Sequence, residues 1–333
     1  MVLVGFDGDT INEHSRDMIE KYHIGGFILF KRNIKNSEQV LSLINSLKNA
    51  NSINEVPLFI TVDEEGGEIT RMPKEFKKFP SNKKIGEELK SFGFNMNFAP
   101  VLDISSNHKN TIIGNRSFGT SENIVSKLGT QTMKGMQSQN IIPVIKHFPG
   151  HGDTSIDSHL GLPSVNNDLD RLRNFELIPF SKAIRNNADA VMVAHILLPQ
   201  IDSSNPATFS KAIITDILRK DLNFNGIVIT DDMEMGAISK NFNIEDASIE
   251  SIIAGSDIIL VCHTYDKQVA VINALRNEVE NNKISEERID ESVYRILKVK
   301  QKYNLTNQSI KSVNVEDLND KINSVLKTYL SDK

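Results

Sequence analysis

The sequence contains a single cysteine, Cys262, and no long apolar run. One cysteine excludes an intramolecular disulfide, and no segment approaches the roughly 20 apolar residues that a membrane-spanning helix needs. Negative charge is in slight excess, because 43 Asp and Glu residues outnumber 38 Lys and Arg residues, and the basic residues form no cluster. The resulting formal net charge of -5 disfavours binding to nucleic acid or to anionic membranes.

The first residues lack the charged segment that opens a signal peptide. Residues 2–6 are apolar and run directly into Asp7, which predicts a first strand at the very start of the chain. We therefore expect a cytoplasmic protein, although a segment upstream of this strand is expected to have been trimmed. We also expect a monomer.

Short apolar runs alternate with amphipathic stretches along the chain. The runs that predict strands are residues 2–6, 26–30, 58–62, 96–99, 142–145, 190–194, 226–230 and 258–261. The stretches between them that predict helices are residues 37–50, 121–139, 169–186, 210–222 and 244–254. Eight strands in one series, with no early G-x-G-x-x-G motif, favour a closed (β/α)8 TIM-type barrel over an open doubly wound sheet.

The end of the chain predicts a helical appendage to this barrel. Residues 267–282 and 285–303 have helical spacing, and the chain is polar from residue 306 onward. We expect one α/β domain over residues 1–305 and a polar tail over residues 306–333 that holds one weak helix.

Residues 146–159 form the most informative segment, since three histidines, two aspartates and a lysine fall on a stretch broken by Pro149, Gly150 and Gly152. Such a backbone predicts a functional loop at the end of a strand. Polar residues end other predicted strands as well. They are Asp63, Lys146, His147, His195, Asp231, Cys262 and His263. In a barrel these positions form the active face.

The sequence contains two candidates for a catalytic role, and the first is Asp231. In residues 227–231, period-two alternation puts Asp231 on the face of Ile227 and Ile229, so it points into the barrel mouth while Asp232 turns away. The alternative, an aspartate capping the next helix, suits Asp232 better than Asp231.

In Asp157-Ser158-His159, a spacing of two sends both side chains the same way, so the carboxylate can hold one imidazole nitrogen and leave the other for a substrate. This arrangement predicts a general acid/base pair, with a solvated Asp–His pair as the alternative.

Other chemistries fit parts of the loop less well. Lys146 and His147 lie deeper and suit hydroxyl binding, although a lysine there also fits a Schiff base. His147 and His151, with Asp153 and His159 nearby, admit a metal site. Their spacing aligns two imidazoles only on a helix, however, and one proline and two glycines in the segment oppose a helix. The acidic residues 63–65 before Gly66 admit a Mg²⁺ site or a solvated turn.

Residues 146–159 and 161–163 resemble the signature loop of family-three glycoside hydrolases of the bacterial β-N-acetylglucosaminidase branch. Residues 63–67 with Arg71 are similar to that family's Asp-Gln-Glu-Gly-Gly segment. Further matches follow in family order. They are residues 98–103, 115–119, 194–195, 206–210 and 226–235.

The resemblance implies that Asp231 is the nucleophile of a retaining reaction on terminal β-linked N-acetylglucosamine of muropeptides or related glycosides. It implies that His159 is the acid/base and that Asp157 orients it. The residues it assigns to sugar binding are Asp63, Arg71, Arg116, Lys146 and His147. No cofactor and no metal are implied, and the expected partner is a small carbohydrate.

The sequence departs from the family pattern in three ways. Glu64 replaces the usual Gln and Glu68 a common Arg, which we expect to alter preference beyond the first sugar. The short helix that usually precedes the first strand is missing, and the second α/β domain of larger relatives is not seen, so we expect a site built from the barrel alone.

Four other functions stay open at this point. A phosphorylase fits because a neutral histidine does not repel phosphate, and a β-glucosidase or xylosidase fits the same scaffold. A metal-dependent hydrolase and a non-catalytic muropeptide-binding module are the remaining alternatives.

Overall fold

The computed structural model describes residues 1–76 and 82–330. Eight parallel strands close into a barrel in which each strand pairs with its neighbours in chain order. The strands are β1 Val2–Val4, β2 Gly26–Leu29, β3 Phe59–Val62, β4 Met96–Asn97, β5 Ile142–Phe148, β6 Ala190–Val193, β7 Ile227–Asp232 and β8 Ile258–Val261. Each overlaps the run predicted for it, so the predicted (β/α)8 barrel is confirmed.

Helices surround the barrel. They are α1 Glu13–Glu20, α2 Ser37–Ala50, α3 Asn82–Phe92, α4 Glu122–Gln137, α5 Leu169–Asn174, α6 Leu177–Arg185, α7 Gly236–Ser239, α8 Ile244–Ala254, α9 Tyr265–Glu280, α10 Glu286–Lys302 and α11 Val315–Leu330. A π-helical segment, Ala212–Asp221, precedes β7. The sequence did not predict α1, α3 or α7.

The helix predicted over residues 169–186 is divided into α5 and α6. Pro179 lies in the first turn of α6 and has no N–H to donate to the carbonyl of Phe175. Its ring would also clash with that carbonyl in a continuous helix. The chain therefore leaves helical geometry at Phe175 and starts a second helix.

Alternate residues of the strands fill the barrel. Ile227 and Ile229 of β7 lie in the interior cluster with Leu3, Phe59 and Met192. The residue between them, Val228, packs instead among the side chains of the outer layer. The period-two alternation predicted for β7 therefore holds along this part of the strand.

Helix α10 closes the N-terminal end of the barrel. Its residues Ile296 and Val299 belong to the interior cluster. Nζ of Lys300 donates to the carbonyl of Pro57, 2.5 Å away, and to that of Gly25, 3.3 Å away, just before β3 and β2 begin. With this end covered, the C-terminal mouth is the open end of the barrel.

The polar tail ends in α11, whose buried residues Leu318 and Ile322 pack into the outer core beside β1 to β3. The division of the chain at residue 305 stays a prediction, and residues 331–333 of the tail lie outside the described residues. None of the helices in the described ranges combines the length and apolar character needed to cross a membrane.

Candidate active site

A pocket of about 350 Å³ opens at the C-terminal mouth of the barrel, and we call it the mouth pocket. Seven of the eight predicted site residues line it. They are Asp63, Arg71, Arg116, Lys146, His147, His159 and Asp231. The eighth, Asp157, is bonded to His159. The volume suits a single small ligand.

Two acidic and two basic side chains form one network in the wall of the mouth pocket. Nζ of Lys146 lies 2.8 Å from Oδ1 of Asp63 and 2.7 Å from Oε1 of Glu65. Arg116 bonds both oxygens of Glu65, with Nε 2.9 Å from Oε2 and Nη2 2.8 Å from Oε1. Burial opposes charge here, but the opposite charges prevail, so the pKa of Glu65 is lowered and the pKa values of Lys146 and Arg116 are raised. All three stay ionised.

Glu65 is a site residue that the sequence interpretation missed. Asp63 and Glu65 are two residues apart just after β3, and both line the mouth pocket. Side chains alternate between two faces along a strand. Once Asp63 was assigned to the pocket, this alternation could have predicted that Glu65, two residues later, faces the pocket as well.

Glu64, between them, lies outside the mouth pocket. Its Oε2 accepts hydrogen bonds from Thr70 Oγ1 and from the backbone N–H groups of Arg71 and Met72. Glu64 thus fixes the segment that carries Arg71. Within the described residues, the buried Nε of Arg71 has no hydrogen-bond partner.

His147 is held by a fully buried carboxylate. Its Nδ1 lies 2.6 Å from Oδ2 of Asp103, and its backbone N–H also donates to Asp103. On the other side of the ring, Nε2 lies 3.3 Å from Nη2 of Arg116. Because a guanidinium only donates, these bonds fit a neutral ring with its proton on Nδ1. Asp103 therefore sets the orientation of a predicted binding residue.

His151 is buried deeper in the same wall. Its Nδ1 lies 2.8 Å from Thr154 Oγ1, and its Nε2 lies 3.3 Å from Ser158 Oγ. Burial, with the nearby His147, lowers the pKa of His151 to about 4, so the ring is neutral near pH 7. No group of three or more His, Cys, Asp or Glu side chains in residues 1–76 and 82–330 is arranged to hold a metal ion.

Asp231 reaches the mouth pocket from the end of β7. Burial acts to raise its pKa, but the electrostatic interactions with the side chains of His195, His147 and Lys146 and with the backbone N–H of Asp232 outweigh it, so the pKa is lowered. Oδ1 of Asp231 accepts from that N–H at 2.8 Å. Asp231 is thus a carboxylate with one oxygen anchored to its own strand end.

The Asp157–His159 pair lies on the loop after β5. Oδ1 of Asp157 accepts from the backbone N–H of His159 at 2.8 Å and lies 2.9 Å from Nδ1 of its ring. Burial acts to raise the pKa of Asp157, but these two contacts lower it overall. The His159 side chain is 66% exposed, and among the described residues nothing bonds its Nε2. That nitrogen is available to a ligand.

The loop that carries His159 is attached to the turn after β7. The backbone N–H of Ala237 donates to the carbonyl of Ser158 at 2.8 Å, and Nζ of Lys240 donates to that of Leu160. A Cβ atom at Gly236 would lie 2.3 Å from the His159 carbonyl oxygen, so this contact requires glycine. His159 is therefore held on the same side of the barrel as Asp231.

Asp232 also lines the mouth pocket, so the expectation that it turns away from the barrel mouth is wrong. The pairing of β7 with β8 shifts register between Ile229 and Asp232, which ends the simple alternation. The next helix, α7, has Met235 rather than Asp232 at its N-cap. The carboxylate of Asp232 accepts from the N–H of Cys262 and lies 3.1 Å from Nε2 of His263.

His263 is a fourth imidazole that lines the mouth pocket, and the sequence interpretation left it without a role. The bond to Asp232 raises its pKa, and its ring stacks on Phe30 with centroids 5.4 Å apart. By contrast, His195 is fully buried and bonds Thr208 Oγ1 at 2.6 Å and the Asp232 carbonyl at 2.9 Å, as expected of a core group.

Comparison with known proteins supports the family that the motifs indicated. Residues 1–299 match the glycosyl hydrolase family 3 N-terminal domain. The chain is 35% identical to beta-hexosaminidase A of Pseudoalteromonas piscicida over 92% of its own length, and 33% identical to a beta-hexosaminidase of Stenotrophomonas maltophilia over 79%. It spans 58% of the Pseudoalteromonas protein and 83% of the Stenotrophomonas protein.

A solved structure has the same architecture. A glycoside hydrolase family 3 beta-N-acetylglucosaminidase from Paenibacillus sp. str. FPU-7 superposes with a TM-score of 0.90 at 38% identity. The superposition covers 98% of this chain and 66% of the Paenibacillus chain. This chain belongs to glycosyl hydrolase family 3 and forms its N-terminal barrel domain.

Proposed function

We propose that this chain is a retaining, exo-acting β-N-acetylglucosaminidase that removes terminal β-linked N-acetylglucosamine from muropeptides or related glycosides. The observation that carries the proposal is the mouth pocket, which combines the Asp231 carboxylate with the Asp157–His159 pair. The names of the Pseudoalteromonas, Stenotrophomonas and Paenibacillus relatives support the choice of an N-acetylated aminosugar.

In the first step, an oxygen of Asp231 attacks the anomeric carbon of the sugar. His159 gives its Nε2 proton to the glycosidic oxygen as the bond between that oxygen and the anomeric carbon breaks. The aglycone leaves as an alcohol, and the sugar stays attached to Asp231 as an ester. The lowered pKa of Asp231 favours this step, since the nucleophile must be ionised.

In the second step, Nε2 of His159 takes a proton from water, and the water oxygen attacks the anomeric carbon. The ester bond to Asp231 breaks and the carboxylate is restored. Two inversions give a product with the original β configuration. Asp157 stays ionised, as its lowered pKa indicates, and stabilises the imidazolium that His159 becomes.

The network opposite Asp231 is suited to the hydroxyl and N-acetyl groups of the sugar. Asp63 accepts hydrogen bonds, while the side chains of Lys146, Arg116 and Arg71 donate them. His147 completes the set, in the orientation that Asp103 fixes. Because α10 covers the far end of the barrel, the pocket suits a chain terminus, which favours exo action.

Two measurements on the purified chain test the proposal. The first compares kcat/KM on nitrophenyl β-glycosides of N-acetylglucosamine, glucose and xylose, and we expect the aminosugar to be preferred. The second follows the first-formed anomer by NMR, and we expect the β form. Preference for glucose or xylose, or an α product, contradicts the proposal.

The remaining alternatives are separated by the same assay. A phosphorylase would convert release of free sugar into sugar phosphate as phosphate concentration rises, whereas a hydrolase gives unchanged free sugar. A metal-dependent hydrolase would lose activity to a chelator. A binding module would take up the sugar and never turn it over.

A further inference from the structure

A second cavity, of about 360 Å³, lies behind the segment that carries Arg71, and we call it the rear pocket. Arg71 lines the mouth pocket, whereas its two neighbours in the chain line the rear pocket. No residue lines both cavities, so they are separate. The side chains of the rear pocket that concern a ligand are Glu64, Thr70, Met72, Phe76, Ile85 and Glu88.

Glu88 reaches the rear pocket from α3 with an unsatisfied oxygen. The residue is only 4% exposed, and among the described residues its Oε1 has no hydrogen-bond partner. The preceding acid of the same helix, Glu87, is by contrast paired with Lys84 at 2.7 Å. A buried polar atom without a partner is destabilising, so a cavity beside it is a place where a bound donor would stabilise the protein.

Glu64 brings a second carboxyl group to the rear pocket from the end of β3. Its Oε2 accepts hydrogen bonds from Thr70 Oγ1 and from the backbone N–H groups of Arg71 and Met72. No donor in residues 1–76 and 82–330 bonds its Oε1. One oxygen of Glu64 therefore holds the chain, and the other is available to a ligand.

The acid groups of the rear pocket have no cation as a direct partner. In the described part of the chain, no lysine or arginine forms an ion pair with Glu64 or Glu88. Lys31 and Lys74 line the same cavity, but Lys74 is exposed and Nζ of Lys31 donates to the carbonyl of Met72 at 3.2 Å. The cavity thus offers two acceptors to a positively charged ligand.

We propose that the rear pocket binds a small organic ammonium ion, whose N–H groups donate to Glu64 and Glu88 and whose alkyl part packs on the apolar wall. An ammonium group has three donors, and hydrogen bonds between ionised partners are the strong ones. Met72, Phe76 and Ile85 are buried and form the apolar wall. The volume of about 360 Å³ falls in the range of small-molecule sites, which begins near roughly 300 Å³.

The lining favours an ammonium ion over a metal ion. Calcium takes about six to eight oxygen ligands, and the rear pocket supplies two carboxyl groups. Within the two described ranges, no group of three or more acidic, histidine or cysteine side chains is arranged to hold a metal ion. The apolar wall gives a hydrated metal ion no contact, but it gives an alkyl chain a surface to pack against.

Binding of an ammonium ion is linked to the proton on Glu88. Burial, with the charges of Glu64 and Glu87, raises the pKa of Glu88 to about 8, while the charge of Lys84 acts to lower it. Glu88 is therefore mostly protonated near pH 7. Because the ammonium ion favours the carboxylate, binding releases a proton, so the affinity rises as the pH approaches 8 and levels off above it.

The test titrates n-butylammonium chloride into the full chain at constant ionic strength and measures binding by calorimetry. We expect saturable 1:1 binding whose affinity rises about tenfold between pH 6.5 and pH 8. Glu88→Gln keeps the shape of the side chain but cannot ionise, so it should weaken binding at pH 8 by about tenfold and remove the pH dependence. Glu280→Gln, an exposed change on α9 outside the rear pocket, is the matched control and should bind as wild type does.

Two further probes separate the groups that are recognised. n-Butanol has the alkyl chain without the charge, and tetramethylammonium has the charge without N–H donors, so neither should match n-butylammonium. The proposal is overturned by absence of saturable n-butylammonium binding, by binding that Glu88→Gln leaves unchanged, or by equal binding of either probe. Binding of Ca²⁺ in place of n-butylammonium also overturns it. No sugar takes part, so these outcomes are independent of the proposed function.

Discussion

Oε1 of Glu65 lies 2.7 Å from Nζ of Lys146, and these two side chains are only 6% and 3% exposed. Arg116 pairs with the same carboxylate, so Glu65 holds two cations that the proposal assigns to sugar binding. One buried anion thereby positions two donors.

Glu65→Gln should therefore weaken both stability and substrate binding. Removing one partner of a buried ion pair leaves the other charge uncompensated, which costs about 3–5 kcal/mol in free energy of unfolding. We also expect a raised KM. Denaturant unfolding and steady-state kinetics check this, with Glu55→Gln, an exposed change on the segment before β3, as the control. Equal stability of the two variants would show that Glu65 has no such role.

His159→Ala should lower kcat by roughly 10²–10⁴ on substrates with poor leaving groups, because the proton donor is lost. Dinitrophenyl glycosides need no acid in the first step, so the variant should cleave them with a first-step rate much closer to that of the wild type. The measurement is kcat/KM for a series of leaving groups in wild type and variant. Equal losses across the series would contradict the acid role of His159.

Gly236→Ala should impair catalysis through the position of the His159 loop. The added Cβ would lie 2.3 Å from the His159 carbonyl oxygen, so the loop must move. The loss should be larger for poor leaving groups than for good ones. Gly161→Ala is the control in the same loop, because its nearest neighbour, a methyl of Ile156, would be 3.8 Å away. If both variants behave alike, the close approach at Gly236 does not matter for His159.

The buried carboxyl group of Glu88 should make the stability of the folded protein depend on pH. Burial, with the nearby charges of Glu64 and Glu87, raises the pKa of Glu88 to about 8, and within the described residues its Oε1 has no hydrogen-bond partner. Between the ordinary Glu pKa of roughly 4.3 and this value, the folded state binds a proton that the unfolded state lacks. The free energy of unfolding therefore falls as pH rises through that window and levels off above it.

Glu88→Gln cannot ionise, so its stability advantage over wild type should grow from pH 5 to pH 8, to on the order of 3 kcal/mol. Thermal unfolding at the two pH values measures it. Glu280→Gln, an exposed change on α9, should show no such growth. An advantage of the same size at both pH values would mean that Glu88 titrates normally.

The barrel was predictable because each strand is a short apolar run and the chain pairs them in order. The place of Asp231 was predictable for a related reason, since alternation along β7 continues from Ile227 and Ile229 to it. Asp232 was placed wrongly because a register shift against β8 is a property of two strands, which one strand's pattern does not record.

The partners of the site residues were harder to predict than the residues themselves. The contact of Lys146 with Glu65 joins the ends of β5 and β3, which meet only once the barrel has closed. The contact of His263 with Asp232 likewise joins the ends of β8 and β7. Such pairs depend on which side chains turn toward the same cavity, and a single sequence carries no direct signal for that.

The central claim is that Asp231 forms a covalent bond to the sugar. A fluorinated N-acetylglucosaminyl donor that slows the second step should trap this species, and peptide mass mapping should locate one added sugar on Asp231. Asp231→Ala should take up no label and should lose activity by several orders of magnitude, whereas His159→Ala should still be labelled by a donor with a good leaving group. A label on any other residue, or turnover with no covalent species at all, would contradict the account.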